Sequence, residues 1–165
     1  MNKLKTIFLL IIFSGYFSAT QAQQISHFEI NISKDSIFTS KSISETYIVF
    51  FFLADDCPFD KVYQSRIENI VKKYPQYKYI YVGDSDKSPN KIPMTKMTQI
   101  RFGIVKTPSA ILCKNTSTGL RILYKGAIDD NPQLNENVKN TYLENVLKNI
   151  PDSYIEKKTV GCKID

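Results

Sequence analysis

At 165 residues, with 42% hydrophobic positions and a formal charge of +6, the chain is long enough to bury one real core and too short to divide into several. Its lysines are scattered apart from Lys72-Lys73 and Lys157-Lys158. That pattern describes solvated faces rather than a nucleic-acid groove, and no internal repeat or low-complexity segment is present.

Residues 1–22 read as a secretory signal peptide. Lys3 and Lys5 precede an apolar run from Ile7 to Phe13, and the small residues Ala19 and Ala22 suit a peptidase. The apolar run is too short to span a bilayer, and no cysteine near the cleavage point offers a lipid anchor, so no stable membrane anchor is expected. The expectation is an exported protein, periplasmic or secreted, with residues 23–165 forming one domain that ends in a cysteine-bearing tail.

Ser26 to Ile32 alternate as an amphipathic strand, and residues 33–45 form a polar connection anchored by Ile37, Phe38 and Ile43. Thr46 to Leu53 are almost continuously apolar, which predicts a strand covered on both faces. Val62, Ile67, Ile70, Val71 and Tyr74 then recur at helical spacing, with Pro58 at the first helical position, Cys57 at the N-cap and Pro75 as the stop. Tyr77 to Val82 form a second strand, completing a βαβ unit with parallel pairing; the alternating tyrosines 77, 79 and 81 are one strand face rather than a base-stacking array.

A polar loop, residues 83–90, leads to Pro93, which is expected to open a short helix, Met94 to Phe102, closed by Gly103. Thr107-Pro108 precedes a strand from Ser109 to Lys114 and is a candidate for a cis bond. Asn115 to Gly119 is turn chemistry, after which Leu120 to Lys125 return as a hairpin. The last helix carries Val138, Tyr142, Leu143, Val146, Leu147 and Ile150 on one face, with Thr141 and Glu144 spaced as a capping box, and Pro151 ends it.

Chemistry concentrates at Cys57. A thiol at a helix N-cap faces unpaired backbone N–H groups and the positive end of the helix dipole, which favour its anion and make it a usable nucleophile. Asp55 and Asp56 oppose full activation, because a nearby carboxylate disfavours a thiolate. With three cysteines in an exported chain, one disulfide is permitted and one thiol is left over. His27 is the only histidine and reads as a strand residue, Met94 and Met97 read as core residues, and neither a metal set nor a phosphate loop is legible; no cofactor is expected.

The order βαβ, helix, Thr-Pro, hairpin, helix, with Cys57-Pro58 at the first helix, resembles the thioredoxin fold. More narrowly, Leu53-Ala54-Asp55-Asp56-Cys57-Pro58, Tyr124-Lys125-Gly126-Ala127-Ile128-Asp129-Asp130 and Gly161-Cys162-Lys163-Ile164 resemble an exported bacterial redoxin subgroup of the peroxiredoxin/thioredoxin-like superfamily. The resemblance implies an α/β domain, a central mixed sheet of four or five strands flanked by helices, with Pro58, Asp60, Thr107, Pro108, Asp129 and Asp130 as neighbours of a catalytic Cys57.

Two departures carry information. A thioredoxin-type dithiol would need a cysteine where this chain has Asp60, so Cys57 has no local partner. Asp60 is read as meeting the free N–H groups of the helix start, ahead of a role in proton transfer. A peroxiredoxin would carry threonine and proline where this chain has Ala54 and Phe50, which sets peroxidase chemistry behind the other readings.

Cys113 lies five residues beyond Pro108, about 16 Å along an extended strand, and reads as a buried core thiol. Cys162, in a tail with apolar Ile155, Val160 and Ile164 and a bend at Gly161, is the expected partner of Cys57, in a disulfide or a transient resolving pair. The favoured expectation is a thiol–disulfide redox protein acting on protein thiols or disulfides or on a reductant protein. The alternative is a non-catalytic binding or structural module whose pocket lies around Asp129 and Asp130.

Overall fold

The structure is a computed structural model and describes residues 23–33, 36–83, 91–133 and 137–164; the expected signal peptide and most of the 83–90 loop lie outside the described residues. The strands are β1 (Gln24–Ser26), β2 (Glu29–Ser33), β3 (Ser36–Thr39), β4 (Tyr47–Phe52), β5 (Lys78–Gly83), β6 (Lys91–Pro93), β7 (Lys106–Thr107), β8 (Ser109–Thr116), β9 (Gly119–Gly126), β10 (Ile155–Lys157) and β11 (Cys162–Lys163). The helices are α1 (Pro58–Lys73), α2 (Lys96–Phe102) and α3 (Tyr142–Lys148).

β4 occupies the middle of the main sheet because all but its first residue are buried. It pairs parallel with β5 and antiparallel with β8, giving the order β1-β9-β8-β4-β5-β6. β1 and β10 share the outer edge of β9, β1 pairing with residues 119–121 and β10 running parallel to residues 124–126. Among the described residues the sheet therefore has seven strands, beyond the four or five expected. The additional strands β1, β6 and β10 have three residues each, too short to leave a periodic signal.

The alternation of side chains along β4 divides the core in two. Val49 and Phe51 face Tyr63, Ile67 and Ile70 of α1 and Leu143, Val146 and Leu147 of α3. Ile48, Phe50 and Phe52 face the side that α2 closes with Phe102. Tyr77, Tyr79 and Tyr81 lie on the α1 side, Tyr79 stacked on Phe51 with 5.9 Å between ring centroids, as period-two aromatics in a strand require. The arrangement is α/β and thioredoxin-like, a mixed sheet with helices on both faces.

Several local expectations are revised. The amphipathic stretch at the start is two strands, β1 and β2. Between them His27 bridges Ser40 Oγ and the Thr116 carbonyl oxygen, each at 3.2 Å, so it is a bridge in a strand break rather than a strand residue. The polar connection contains β3, which pairs with β2 as a separate hairpin, and Ile37 is exposed rather than an anchor.

Pro93 ends β6 instead of opening a helix, and the cap is Thr95, whose hydroxyl accepts from Thr98 N at 3.1 Å. α2 consequently presents Phe102 inward and leaves Met97 65% exposed, so Met97 is not a core residue. Gly103 closes α2 in the left-handed region at φ 62°, where glycine carries no Cβ penalty. The capping box does not form: Thr141 makes no side-chain cap bond, and Glu144 pairs with Lys73 and accepts from Tyr74 Oη.

The Phe102 ring lies 4.9, 5.2 and 5.6 Å from the rings of Phe50, Phe52 and Phe28. Phe102→Ala is expected to cost about 3–5 kcal/mol through cavity formation, whereas Met97→Ala should stay within about 0.5 kcal/mol. Urea unfolding of the two variants checks the contrast; equal losses would show that α2 is not seated by Phe102.

Candidate functional site

β4 delivers the chain to a tight turn: Leu53 N donates to the Val82 carbonyl at 2.9 Å, and Cys57 N donates to Ala54 O at 3.2 Å. Cys57 is the N-cap of α1 in extended conformation (φ −78°, ψ 116°), with Pro58 beginning the helix. Its side chain makes no cap bond, so the sulfur is not engaged by the first-turn amides. Cys57 is buried, whereas Cys162 is half-buried on β11.

The two cysteines are joined, with an S–S distance of 2.13 Å and Cα atoms 5.9 Å apart, inside the separation that a disulfide spans. Cys113 is the free cysteine, buried in β8, and burial pushes its thiol well above the ordinary range.

The Thr107-Pro108 bond is cis, and both residues are buried. The Thr107 carbonyl oxygen lies 3.8 Å from Cys57 Sγ. In the disulfide this is a contact only, because the sulfur has no proton; a reduced Cys57 thiol would have an acceptor there. β11 pairs antiparallel with β7, Cys162 opposite Thr107 and Lys163 opposite Lys106, and Ile164 N donates to Val105 O at 3.1 Å. The tail thus lies directly over the cis-proline loop.

Asp60 does not cap α1. One carboxylate oxygen, Oδ2, accepts from Ala54 N, so the side chain turns back to the strand exit instead of meeting the helix's own donors. The other, Oδ1, is buried without a hydrogen bond, as is Thr107 Oγ1. Burial raises the Asp60 pKa from its ordinary 3.8 to about 6. The Ala54 amide and the nearby Thr107 hydroxyl, which lacks good hydrogen-bond geometry, pull it partly back, and Asp56 and Asp55 push it further up. Asp60 also lines a cleft of about 510 Å³ with Leu53, Ala54, Lys61, Tyr81 and Lys91.

Asp129 and Asp130 are held by the chain's own donors. Asp129 is buried, accepts from Tyr63 Oη at 2.5 Å, takes Arg66 Nη1 at 2.8 and 3.0 Å, and accepts from Asn131 N at 2.9 Å. Arg66 also lies over the Tyr63 ring at 4.5 Å. Asp130 accepts from Lys139 N and Asn140 Nδ2, and the Asn140 amide holds its pKa below the ordinary carboxylate value. A cleft of about 120 Å³ connects the two acids with Pro108, Tyr63 and Val160.

Sequence reasoning did not foresee Tyr63 and Arg66; their spacing puts both on one face of α1, but only the folded chain brings Asp129 to them. It also read Gly161 as a bend. A Cβ there would lie 1.9 Å from Thr107 O and 2.8 Å from its carbonyl carbon, so the residue is glycine because two backbones touch.

No family model matches the chain, and no curated protein matches it. An uncharacterized conserved protein from Geobacillus kaustophilus is similar in structure, with a TM-score of 0.65 and 18% identity over 87% of this chain and 90% of that one. A hypothetical protein from Sinorhizobium meliloti 1021 has a TM-score of 0.64 and 15% identity over 87% and 92%. The oxidized form of mitochondrial thioredoxin 3 from Saccharomyces cerevisiae superposes more loosely, with a TM-score of 0.45 and 22% identity over 65% and 81%. At these identities the first two likenesses describe the fold alone, and the third is too loose to add weight.

Because the folded state binds the Asp60 proton more tightly than the unfolded chain does, the stability linked to this group is fully present below pH 4 and is lost as pH rises through about 6. The loss between pH 4 and 7.5 is expected to be on the order of 2 kcal/mol. Asp60→Asn retains an acceptor for Ala54 N and should flatten this slope, leaving the variant more stable than wild type at pH 7.5. Chemical denaturation across that range checks it; parallel slopes for the two proteins would refute the account.

Proposed function

We propose that the chain is an exported thiol–disulfide redox protein that cycles Cys57 and Cys162 between dithiol and disulfide. The observation that carries the reading is the bond between a sulfur at the N-cap of α1, beside cis-Pro108, and a sulfur on a short edge strand. The secretory pattern of residues 1–22 supports export to a periplasmic or extracellular compartment, where such a bond persists.

In the reduced chain the Cys57 thiolate attacks one sulfur of a substrate disulfide, forming a mixed disulfide and releasing the other substrate sulfur as a thiolate. Cys162 then loses its proton and attacks Cys57 Sγ, which closes the intramolecular bond and expels the second substrate thiolate. Two electrons pass from the protein dithiol to the substrate disulfide, and the two protons lost by the cysteines end on the substrate thiols. Regeneration consumes a dithiol reductant and enters at the other sulfur. One reductant thiolate attacks the half-buried Cys162, which is more accessible than Cys57, and Cys57 leaves as a thiolate into the field of the α1 N-terminus. The reductant's second thiolate then attacks the reductant sulfur of the mixed disulfide, releasing the Cys162 thiolate and leaving the reductant oxidised to its disulfide. Protein thiols or disulfides, or a reductant protein, are the partners this chemistry takes.

Peroxide chemistry is not proposed: Phe50 is a core residue of β4 and Ala54 presents only a methyl group. The second reading is a structural or binding module, favoured by the length of chain between Cys57 and Cys162, 105 residues apart. Closure of a loop that long stabilises a fold by about 4–5 kcal/mol on the chain-entropy account.

Insulin reduction and glutathione mixed-disulfide formation separate the two. Cys57→Ser should lower both by more than roughly a hundredfold. Cys162→Ser should still form the glutathione adduct on Cys57 but stall in turnover. Activity that survives Cys57→Ser defeats the redox reading, and a bond that resists millimolar dithiothreitol in the folded protein favours the structural one.

A further inference from the structure

Among the described residues the tail is the extended segment docked against the cis-proline loop, and the fit is more demanding than a tether requires. Cys162 stands opposite Thr107 in antiparallel register. The preceding residue passes so close that a Cβ at Gly161 would meet Thr107 O at 1.9 Å and Pro108 Cδ at 3.1 Å. The first of these atoms is backbone, anchored beside buried Pro108, and cannot swing aside. The residues flanking this pair face outward, Val160 being 56% exposed and Lys163 exposed, while Ile164 beyond them is partly buried against the core. The surface therefore recognises backbone, a cysteine and the absence of a side chain before it.

Besides the disulfide, the tail is held by a few contacts. β11 is a two-residue strand, supplemented by Ile164 N to Val105 O at 3.1 Å, by Ser109 Oγ with Thr159 Oγ1 at 2.9 Å, and by the Ile164 side chain, partly buried against the core on the α2 side. Between β10 and β11, Lys158 and Thr159 line a cavity of about 250 Å³ together with Lys106, Ser109 and Lys125. Opening the bond removes the covalent cross-link on residues 159–164 and leaves the short strand, two hydrogen bonds and Ile164 to hold them, and segments with few buried contacts are the first to open.

We propose that the edge of β7 with Pro108 is a peptide-binding surface selective for a cysteine preceded by glycine, and that residues 159–164 fill it as an internal ligand until the Cys57–Cys162 bond is opened. This rests on the redox reading of Cys57 and names the class of substrate that the site takes: an extended, accessible Gly-Cys segment, paired by its backbone in the manner of strand addition. Negative selection does the work, since any side chain before the cysteine collides with a carbonyl that cannot move.

The test uses the full chain carrying Cys162→Ser and the heptapeptide Lys-Thr-Val-Gly-Cys-Lys-Ile, the sequence of residues 158–164, activated as its mixed disulfide with thionitrobenzoate. The Cys57 thiolate attacks the peptide sulfur, the peptide–aryl S–S bond breaks, the Cys57–peptide bond forms, and the aryl thiolate leaves with the electron pair and is read by its absorbance. There is no net oxidation or reduction.

Replacing the peptide's glycine by valine should slow trapping roughly tenfold or more, while replacing its own valine, the counterpart of exposed Val160, by serine should leave the rate unchanged. The same glycine-to-valine change made in the protein's own tail, Gly161→Val with Cys162→Ser, should act in the opposite direction and speed trapping of the glycine peptide, because the internal competitor no longer fits.

A cysteamine–thionitrobenzoate disulfide, which has no preceding residue, reports Cys57 reactivity alone. Equal rates for the glycine and valine peptides, with the cysteamine probe reacting, overturn the surface and leave the redox reading standing. No reaction with any probe overturns both. If Cys162→Ser impairs folding, the reduced wild-type chain gives the same comparison from its first burst of aryl thiolate, which precedes closure by Cys162.

Discussion

The bond between Cys57 and Cys162 joins a buried cysteine at the start of α1 to a half-buried one on a short edge strand, and the geometry of the site follows from that contrast. Cys57 is seated by the fully buried β4 and the start of α1; Cys162 sits on a two-residue strand at an edge. A disulfide requires Cα atoms within a narrow range of separation, and here the end seated on the central strand dictates where the tail must lie. That place is the cis-proline loop. Thr107 contacts Cys57 Sγ through its carbonyl oxygen and pairs with Cys162 through its backbone, so a single residue sets the position of both sulfurs.

Two buried carboxylates near this bond have opposite environments. Asp129 is enclosed by Tyr63, Arg66 and Asn131 N, a set of donors that compensates the cost of taking a carboxylate out of water. It ties α1 to the segment after β9 and thereby holds the helix that carries Cys57 against the hairpin that follows Pro108. Asp60 has one backbone donor and an oxygen without a hydrogen bond, and its raised pKa expresses that deficit. The first acid ties two segments together; the second is a buried carboxylate with one oxygen left without a hydrogen bond, in the first turn of the helix that begins after Cys57.

Gly161 links this geometry to recognition. The tail approaches Thr107 closely enough to exclude a Cβ, so the same contact that lets β11 reach the disulfide also defines which segments can replace it. Next to the glycine and cysteine apolar contact plays little part, since Val160 and Val105 both remain exposed, and the tail's apolar contact lies farther on, at Ile164. Selectivity comes from backbone clearance rather than from a pocket.

The sequence by itself determined the parts governed by local forces: the strand around Val49 to Phe52, a helix opened by Pro58 with Cys57 at its cap, the proline before β8, the hairpin, and the burial of Cys113. Each rests on a run of apolar residues, a backbone restriction or a reach along an extended chain, and each can be read within about fifteen residues. The pairing of Cys57 with Cys162 was legible by a different route, from the want of a local partner at Asp60. What only the tertiary structure decided depends on groups distant in the chain meeting. Glu144 meets Lys73 instead of capping its own helix; Lys91–Pro93 joins β5 because an edge was open; Asp60 turns to Ala54 rather than to the helix amides; Asp129 finds Tyr63 and Arg66. Gly161 belongs with these, since a glycine in a tail reads as a bend until the carbonyl it touches is in place. Such choices follow from competition among buried donors, acceptors and volumes, and that competition exists only once the chain has closed on itself.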